Sequence, residues 1–354
     1  HNPDNTYEKA ETWDEYASYR DKNIKRSPGR GLPDEKIRAN VTNKYNLRKI
    51  FYVNPGTNEF DDFMDYQTAT HAVGFLEEPH QKPFFLAVGF IRPHIEFTTP
   101  ESYYDKFSDP IESPAVKDDD LNDVPPVGKS MVRKVAADIE KLDSWEELRR
   151  GYLACIAFTD YNVGRVLEAL ENSPYADNTV VILWSDHGFH LGEKQSYTKF
   201  SLWEESTRVP FIIYDPRGRD GNGKATDEPV GLINVYRTVC ELVGLEPPEY
   251  VDGFSLVPWL DDPALPVDRP AMTTWGRGNY TLRSKDWRYT RYYDGTEELY
   301  DHRNDPNEWN NLADDRAYAD VKREMEVWLP KEEAPQVASG RKLYNVSDAD
   351  KPLN

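Results

Sequence analysis

Thr179-Val180-Val181-Ile182-Leu183-Trp184-Ser185-Asp186-His187-Gly188 is the stretch from which the fold can be read. Its first six residues are β-branched or large and apolar, without polar alternation, and read as a strand buried on both faces. The run stops abruptly at Ser-Asp-His-Gly, which places a carboxylate, an imidazole and a bendable backbone at the strand's carboxyl end. Just upstream, Ser144-Trp145-Glu146-Glu147 has the form of a capping box. It opens a helix expected to run to about Glu171, with Val163, Val166, Leu167 and Leu170 as its apolar stripe. Downstream, Val209 to Tyr214 reads as a further strand, and Leu232 to Val243 as a helix closed by Gly244.

Further out, a helix is expected around Asp65 to Leu76, followed by Phe84-Phe85-Leu86-Ala87-Val88-Gly89-Phe90 as another buried strand. Strands alternating with helices of this length argue an α/β sandwich with a mostly parallel central sheet. After about Asp262 the character changes. Tyr280 to Tyr293 alternates aromatic and charged residues, Glu298-Leu299-Tyr300 extends it, and a helix follows near Ala317 to Leu329. Residues 1–262 are therefore read as part of a large α/β domain, and residues 263–354 as a small α+β subdomain with an antiparallel sheet. Through Trp287-Arg288-Tyr289-Thr290-Arg291-Tyr292 the alternation puts aromatics on one face and Arg on the other.

The chain has 354 residues and a net charge of −20. A field of that sign repels nucleic acid and anionic membranes, so no nucleic-acid partner is expected. Any anion site needs its own local cations or metal. No run is apolar enough to span a bilayer. The two cysteines, Cys155 and Cys240, form neither a metal spacing nor a disulfide framework.

In open α/β sheets ligands collect at the carboxyl ends of strands. Two apolar runs end in unusual polar groups: Arg92-Pro93-His94-Ile95-Glu96-Phe97, and Ser185 through Glu193. A hard carboxylate beside an imidazole suits a divalent cation. By itself an Asp-His pair is more often a hydrogen-bonded turn, and a lone Lys199 a surface charge.

Taken together, Ser185-Asp186-His187-Gly188, Leu191-Gly192-Glu193, Lys199 and Arg208-Val209-Pro210-Phe211 resemble the metal and sulfate segment of type I sulfatases. The likeness extends to the Pro93-His94 pair, to Asp252-Gly253-Phe254-Ser255-Leu256, and to Glu298-Leu299-Tyr300-Asp301, covering most of residues 65 to 315. The Pro-His-Ile sequence, the His after the metal Asp, and Lys199 point to the iduronate-2-sulfatase branch. The resemblance implies an alkaline-phosphatase-like fold and hydrolysis of a sulfate ester on a sugar, within an acidic polysaccharide or an oligosaccharide from it. It implies one calcium ion per site, held in part by Asp186 and His187, and a formylglycine nucleophile. It further implies His94 as sulfate contact and general acid, and Lys199 as sulfate clamp. His1 is placed as the histidine that closes a segment contacting the formylglycine. Arg92, His190 and Arg277 are expected as sugar or sulfate contacts. Lys194, standing where relatives commonly carry His, reads either as a substrate charge contact or as a neutral surface change.

No Cys or Ser lies in the family's C/S-x-P-x-R context. The nucleophile and the first metal-binding Asp pair are therefore expected in an upstream segment of the same protein. A periplasmic or extracellular location is expected, or a lysosomal one in a eukaryote. Two rivals stand: a phosphodiesterase or phosphonate hydrolase of the same superfamily, and a non-catalytic polyanion-binding paralogue.

Overall fold

Two helices form where the apolar periodicity placed them, and they organise the first half of the molecule. In this computed structural model, residues 13–21, 53–54 and 59–333 are described, apart from 109, 133–134 and 142. The chain divides into two compact units, residues 1–113 with 137–179, and residues 114–136 with 180–354. The boundary read from sequence near Asp262 falls inside the second unit.

In the first unit, helices α1 (Met64–Glu77) and α2 (Trp145–Glu171) pack around Phe63, Tyr103 and Phe158. Ring centroids of Phe63 and Tyr103 lie 5.4 and 5.2 Å from that of Phe158. Strands β1 (Val53–Asn54) and β2 (Phe97–Thr98) form a short parallel ladder. The first half of α2 is buried because Phe97 stacks on Tyr152 and Tyr104 bonds Glu147 there, with Phe63 packed on Phe158. Its second half meets α1 through Arg165, over the Tyr66 ring, and the expected stripe at Val163, Val166 and Leu170 stays half-buried. Leu167 is exposed.

The run Phe84–Phe90 departs from expectation. It is extended but belongs to no ladder among the described residues, and its side chains alternate between half-buried and exposed. Without paired strands on either side, every second residue faces outward.

In the second unit, β3 (Val181–Trp184) pairs antiparallel with β6 (Phe211–Tyr214), with Val181 opposite Tyr214 and Trp184 opposite Phe211. The parallel neighbour expected for this run is not what the ladder gives, and Trp184, Ile212 and Tyr214 are exposed. An apolar run records how much surface a strand has to bury; it does not encode the direction of its neighbour. Between these strands, β4 (His190–Leu191) and β5 (Tyr197–Thr198) make a short hairpin. Helix α3 (Val235–Val243) ends at Gly244, whose φ of 73° is the left-handed cap expected of it.

The C-terminal sheet is antiparallel throughout: β7 (Ala271–Thr274), β8 (Tyr280–Arg283), β9 (Trp287–Arg291) and β10 (Glu297–Asp301), in spatial order 10-9-8-7. Leu282, Tyr289 and Leu299 pack with Met325 of α4 (Ala319–Glu326). The opposite face is buried as well and holds Arg288 and Thr290. Among the described residues no helix is long and apolar enough to cross a membrane.

Phe158→Ala removes the ring on which Phe63 and Tyr103 converge, and should cost about 3–5 kcal/mol in urea denaturation. A loss below about 1 kcal/mol would show that this ring is not the keystone of the helix pair.

Candidate active site

Strand β3 delivers Ser185-Asp186-His187-Gly188 into a turn that only glycine can complete. A Cβ on Gly188 would lie 2.0 Å from the Glu205 carbonyl oxygen and 2.8 Å from that of Arg208. The Gly188 amide donates to the Ser206 carbonyl at 2.9 Å, fastening the turn to the segment beyond Lys199. Asp186 stands out into solvent, its side chain 82% exposed. The His187 ring lies between two partners. Nδ1 is 2.8 Å from the Gly188 carbonyl, and Nε2 faces Asp186 Oδ2 at 3.4 Å and the Lys199 ammonium. A carbonyl only accepts, so the proton sits on Nδ1 and Nε2 presents its lone pair.

Lys199 is held in a strained backbone. Thr198 and Phe200, on either side of it, have φ of 80° and 78°, a left-handed conformation that β-branched and aromatic residues rarely adopt. The hairpin pairs Thr198 with His190, and Phe200 packs on Trp275 at 5.0 Å. The start of the loop from Trp275 to Tyr280 therefore lies beside the lysine segment. Such strain persists only where the surroundings over-determine it, which is common at functional sites.

In the first unit His94 occupies an exposed turn that is bracketed from several sides. Asp65 in α1 accepts from the Ile91 and Arg92 amides at 2.9 Å each, and the His94 amide bonds the Ile91 carbonyl at 2.9 Å. Thr159 of α2 donates to the Arg92 carbonyl at 3.1 Å. The His94 Nδ1 contacts the Ile95 carbonyl.

Asp186, His187 and Lys199 are thus brought together, and His94 sits in its own turn in the first unit. The residues expected as substrate contacts have other work. Arg92 is buried, its guanidinium on Asp21 at 2.7 Å and on the Thr98 carbonyl at 2.8 Å. His190 is 0% exposed and bonds Ser201. Lys194 is 2% exposed, pairs with Asp120 at 2.7 Å and donates to the Glu308 carbonyl. Neither a sugar contact nor a neutral surface position describes that lysine. Arg277 is half-exposed and bonds Glu333 at 2.7 Å. His1 lies outside the described residues.

What the sequence reading missed is a buried ion cluster beneath the lysine segment. Arg288 bonds both Glu308 and Glu204, Arg283 reaches Glu204 at 3.3 Å, and His302 reaches Glu308 at 2.9 Å. Glu204, His302 and Glu308 have one potential metal-ligand atom each within 4.8 Å of one another, but guanidinium groups fill that cluster. Burial alone would raise the Glu308 carboxyl; the charges of Arg288, His302 and Lys194 outweigh it and hold it at about 2. Glu205 next door has no such cation in hydrogen-bond reach. Burial, with Glu308 nearby, pushes it up to about 8.

Comparison with known proteins bears on this geometry. Residues 5–245 match the sulfatase family, and residues 192–334 match the C-terminal region of N-sulphoglucosamine sulphohydrolase. The chain is 38% identical to a sulfatase of Formosa agariphila, over 78% of this chain and 55% of the relative. It is 30% identical to a delta 4,5-hexuronate-2-O-sulfatase of Bacteroides thetaiotaomicron, over 76% of this chain and 60% of that protein. Among solved structures, the phosphonate monoester hydrolase of Agrobacterium radiobacter is similar with a TM-score of 0.66 and 25% identity, over 76% of this chain and 60% of that one. These likenesses bear out the alkaline-phosphatase-like α/β fold with its C-terminal antiparallel sheet. The chain spans about half the length of the curated relatives it matches.

Arg288→Met leaves two buried carboxylates without their shared cation and should cost about 3–5 kcal/mol in urea denaturation. The pH dependence has two limbs. A carboxyl held at about 2 contributes stability that is complete above its ordinary 4.5 and is lost as pH falls toward 2. Glu205, raised to about 8, does the reverse: stability declines as pH rises from about 4.5 through about 8. Glu205→Gln should flatten the decline between pH 5 and 8; an unchanged slope would assign that limb to another group.

Proposed function

This chain belongs to the sulfatase family, and from that premise we propose that it forms the sulfate-holding part of an enzyme that hydrolyses a sulfate ester on a sugar. The observation that carries the reading is the placement of Asp186, His187 and Lys199 at the end of β3, in a turn and a strained segment built to hold them.

The donor set fits a calcium ion as part of its shell. Asp186 offers an exposed hard oxygen, and the Gly188 carbonyl turns His187 so that Nε2, 3.4 Å from that oxygen, would become a ligand atom once the Lys199 ammonium moved from it to the sulfate. When bound, calcium neutralises charge on the sulfate oxygens, and a formylglycine from outside these residues supplies the attacking oxygen. The roles of this chain's side chains follow from the reaction. Lys199 is a point-charge donor for a nonbridging sulfate oxygen. As the ester S–O bond breaks, its electron pair goes to the sugar oxygen, which needs a proton. His94 is the proposed donor in its doubly protonated, imidazolium form: with Nδ1–H on the Ile95 carbonyl, the proton on Nε2 is the one transferred, and the ring is left neutral.

Similarity to a hexuronate-2-O-sulfatase supports a sulfated uronic sugar as the substrate class. A sulfated polymer is met outside the cytoplasm, in agreement with a periplasmic or extracellular setting. A second reading is favoured by the structural likeness to a phosphonate monoester hydrolase, since the same cations suit any tetrahedral anion. Assay of the full-length protein on 2-O-sulfated unsaturated uronides and on a phosphonate monoester separates the two; turnover of the phosphonate alone would replace the first reading.

In the full-length enzyme, Lys199→Ala should lower kcat about a hundredfold, the loss of one preorganised donor worth about 3 kcal/mol. His94→Ala should cost more with a sugar sulfate than with an activated aryl sulfate, because only the poor leaving group needs a proton. Equal losses on both would leave His94 a binding residue.

A further inference from the structure

Beneath the Asp186 turn and the Lys199 segment runs a set of buried polar side chains that the sulfatase chemistry does not use. His190 Nε2 lies 2.7 Å from Ser201 Oγ, and Ser201 Oγ lies 2.8 Å from Ser206 Oγ, all three residues buried. At the other edge of the imidazole, His190 Nδ1 and Glu205 Oε2 are both buried without a hydrogen-bond partner and face each other across 3.9 Å.

The ends of this line matter. Ser201 is two residues from Lys199, on the far side of left-handed Phe200. The Ser206 carbonyl receives the Gly188 amide, one residue from His187. His190 itself pairs in the hairpin with Thr198, on the near side of Lys199. One imidazole therefore touches, directly or through one hydroxyl, the segments on both sides of the lysine and the segment that anchors the His187 turn.

We propose that His190, through Ser201 and Ser206, is a positioning residue that holds the Lys199 ammonium against His187 and thereby fixes where sulfate is clamped. The proposal rests on the sulfatase reading of Lys199. The polarity of the chain is consistent along its length. Ser201 donates to Ser206, so Nε2–H must donate to Ser201, and Nδ1 is left as a bare acceptor facing Glu205. Burial pushes His190 down to about 4 and Glu205 up to about 8, which favours an uncharged imidazole and a protonated carboxyl near neutral pH. The other charges around the pair are Glu308, Glu193 and Lys194. The hydrogen-bonded part of the line, from Nε2 through Ser201 to Ser206, rigidifies the segments it connects.

The test uses the full-length protein and three variants, Ser201→Ala, Ser206→Ala and Ser201→Thr. Breaking the chain should lower kcat about tenfold with KM little changed, because a displaced donor is lost mainly in the transition state. Ser201→Thr keeps the hydroxyl and should recover most of that loss. In the Lys199→Ala background, Ser201→Ala should add almost nothing, since both changes remove the same interaction. Affinity for inorganic sulfate, measured by titration calorimetry, should fall in Ser201→Ala and Ser206→Ala and return in Ser201→Thr. Unchanged kcat and sulfate affinity in both alanine variants would overturn the proposal. So would a loss that adds in full to that of Lys199→Ala, the mark of general structural damage. A wild-type protein that binds sulfate in this Ser201-dependent way yet hydrolyses no sulfate ester would sink the sulfatase reading and leave the positioning role standing.

Discussion

The candidate site depends on one buried guanidinium. Arg288, 1% exposed, lies in β9 between the carboxylates of Glu308 and Glu204. Taking such charges from water is expensive, and once they are paired, separating them leaves an uncompensated buried ion. Glu204 opens the short helix 204–207 that carries Ser206, and Glu308 also receives Lys194 through its carbonyl. The segment from Lys194 to Glu204 is thereby pinned at both ends to the C-terminal sheet. Only a segment pinned in this way keeps Thr198 and Phe200 left-handed, and with them the direction of Lys199.

Much of this was legible before any coordinates. The period of 3.6 found α1 and α2, the glycine at 244 found its left-handed cap, and the period of 2 found the C-terminal strands. Asp186, His187 and Lys199 were found by their order along the chain, and they do meet. What was not legible follows from what periodicity omits. Alternation in β9 separates two faces but does not say that both are covered, so the burial of Arg288 left no mark in it. Apolar runs at 84–90 and 181–184 gave strand-like backbone without the direction or presence of a neighbour. Partners far apart along the chain, such as Lys194 with the Asp120 carboxylate and the Glu308 carbonyl, leave no local mark. The nearest thing to a signal was negative: Lys194 stood where a histidine was expected, and a change of residue type inside an otherwise intact motif indicates a changed environment.

Burial then sorts the cations into two kinds. Arg92 and Lys194 are desolvated and each is matched to a carboxylate, Asp21 and Asp120. A cation so paired has little charge left to offer a ligand. Lys199 differs in having an imidazole, that of His187, among its contacts. An ammonium on a neutral acceptor keeps its full charge and exchanges that acceptor readily for an anionic oxygen. The distinction follows from partner type rather than from exposure alone, and it separates scaffold from chemistry more sharply than sequence position does.

The same distinction resolves a difficulty in the overall charge. A chain of net charge −20 ought to repel a sulfated polymer. Salt reduces that repulsion, since at physiological ionic strength a charge more than about 8 Å away is largely screened. The acidic groups close to the lysine segment are handled by pairing: Glu308 and Glu204 with Arg288, Asp120 with Lys194, and Glu205 held protonated by burial. Asp186, close to the Lys199 ammonium through His187, is the exposed carboxylate suited to a calcium ion. Local neutralisation of these acids therefore lowers the negative field against which Lys199, and a cation held at Asp186, would act on an anion. The buried ion pairs, which add little to stability by themselves, serve the electrostatics of the surface above them.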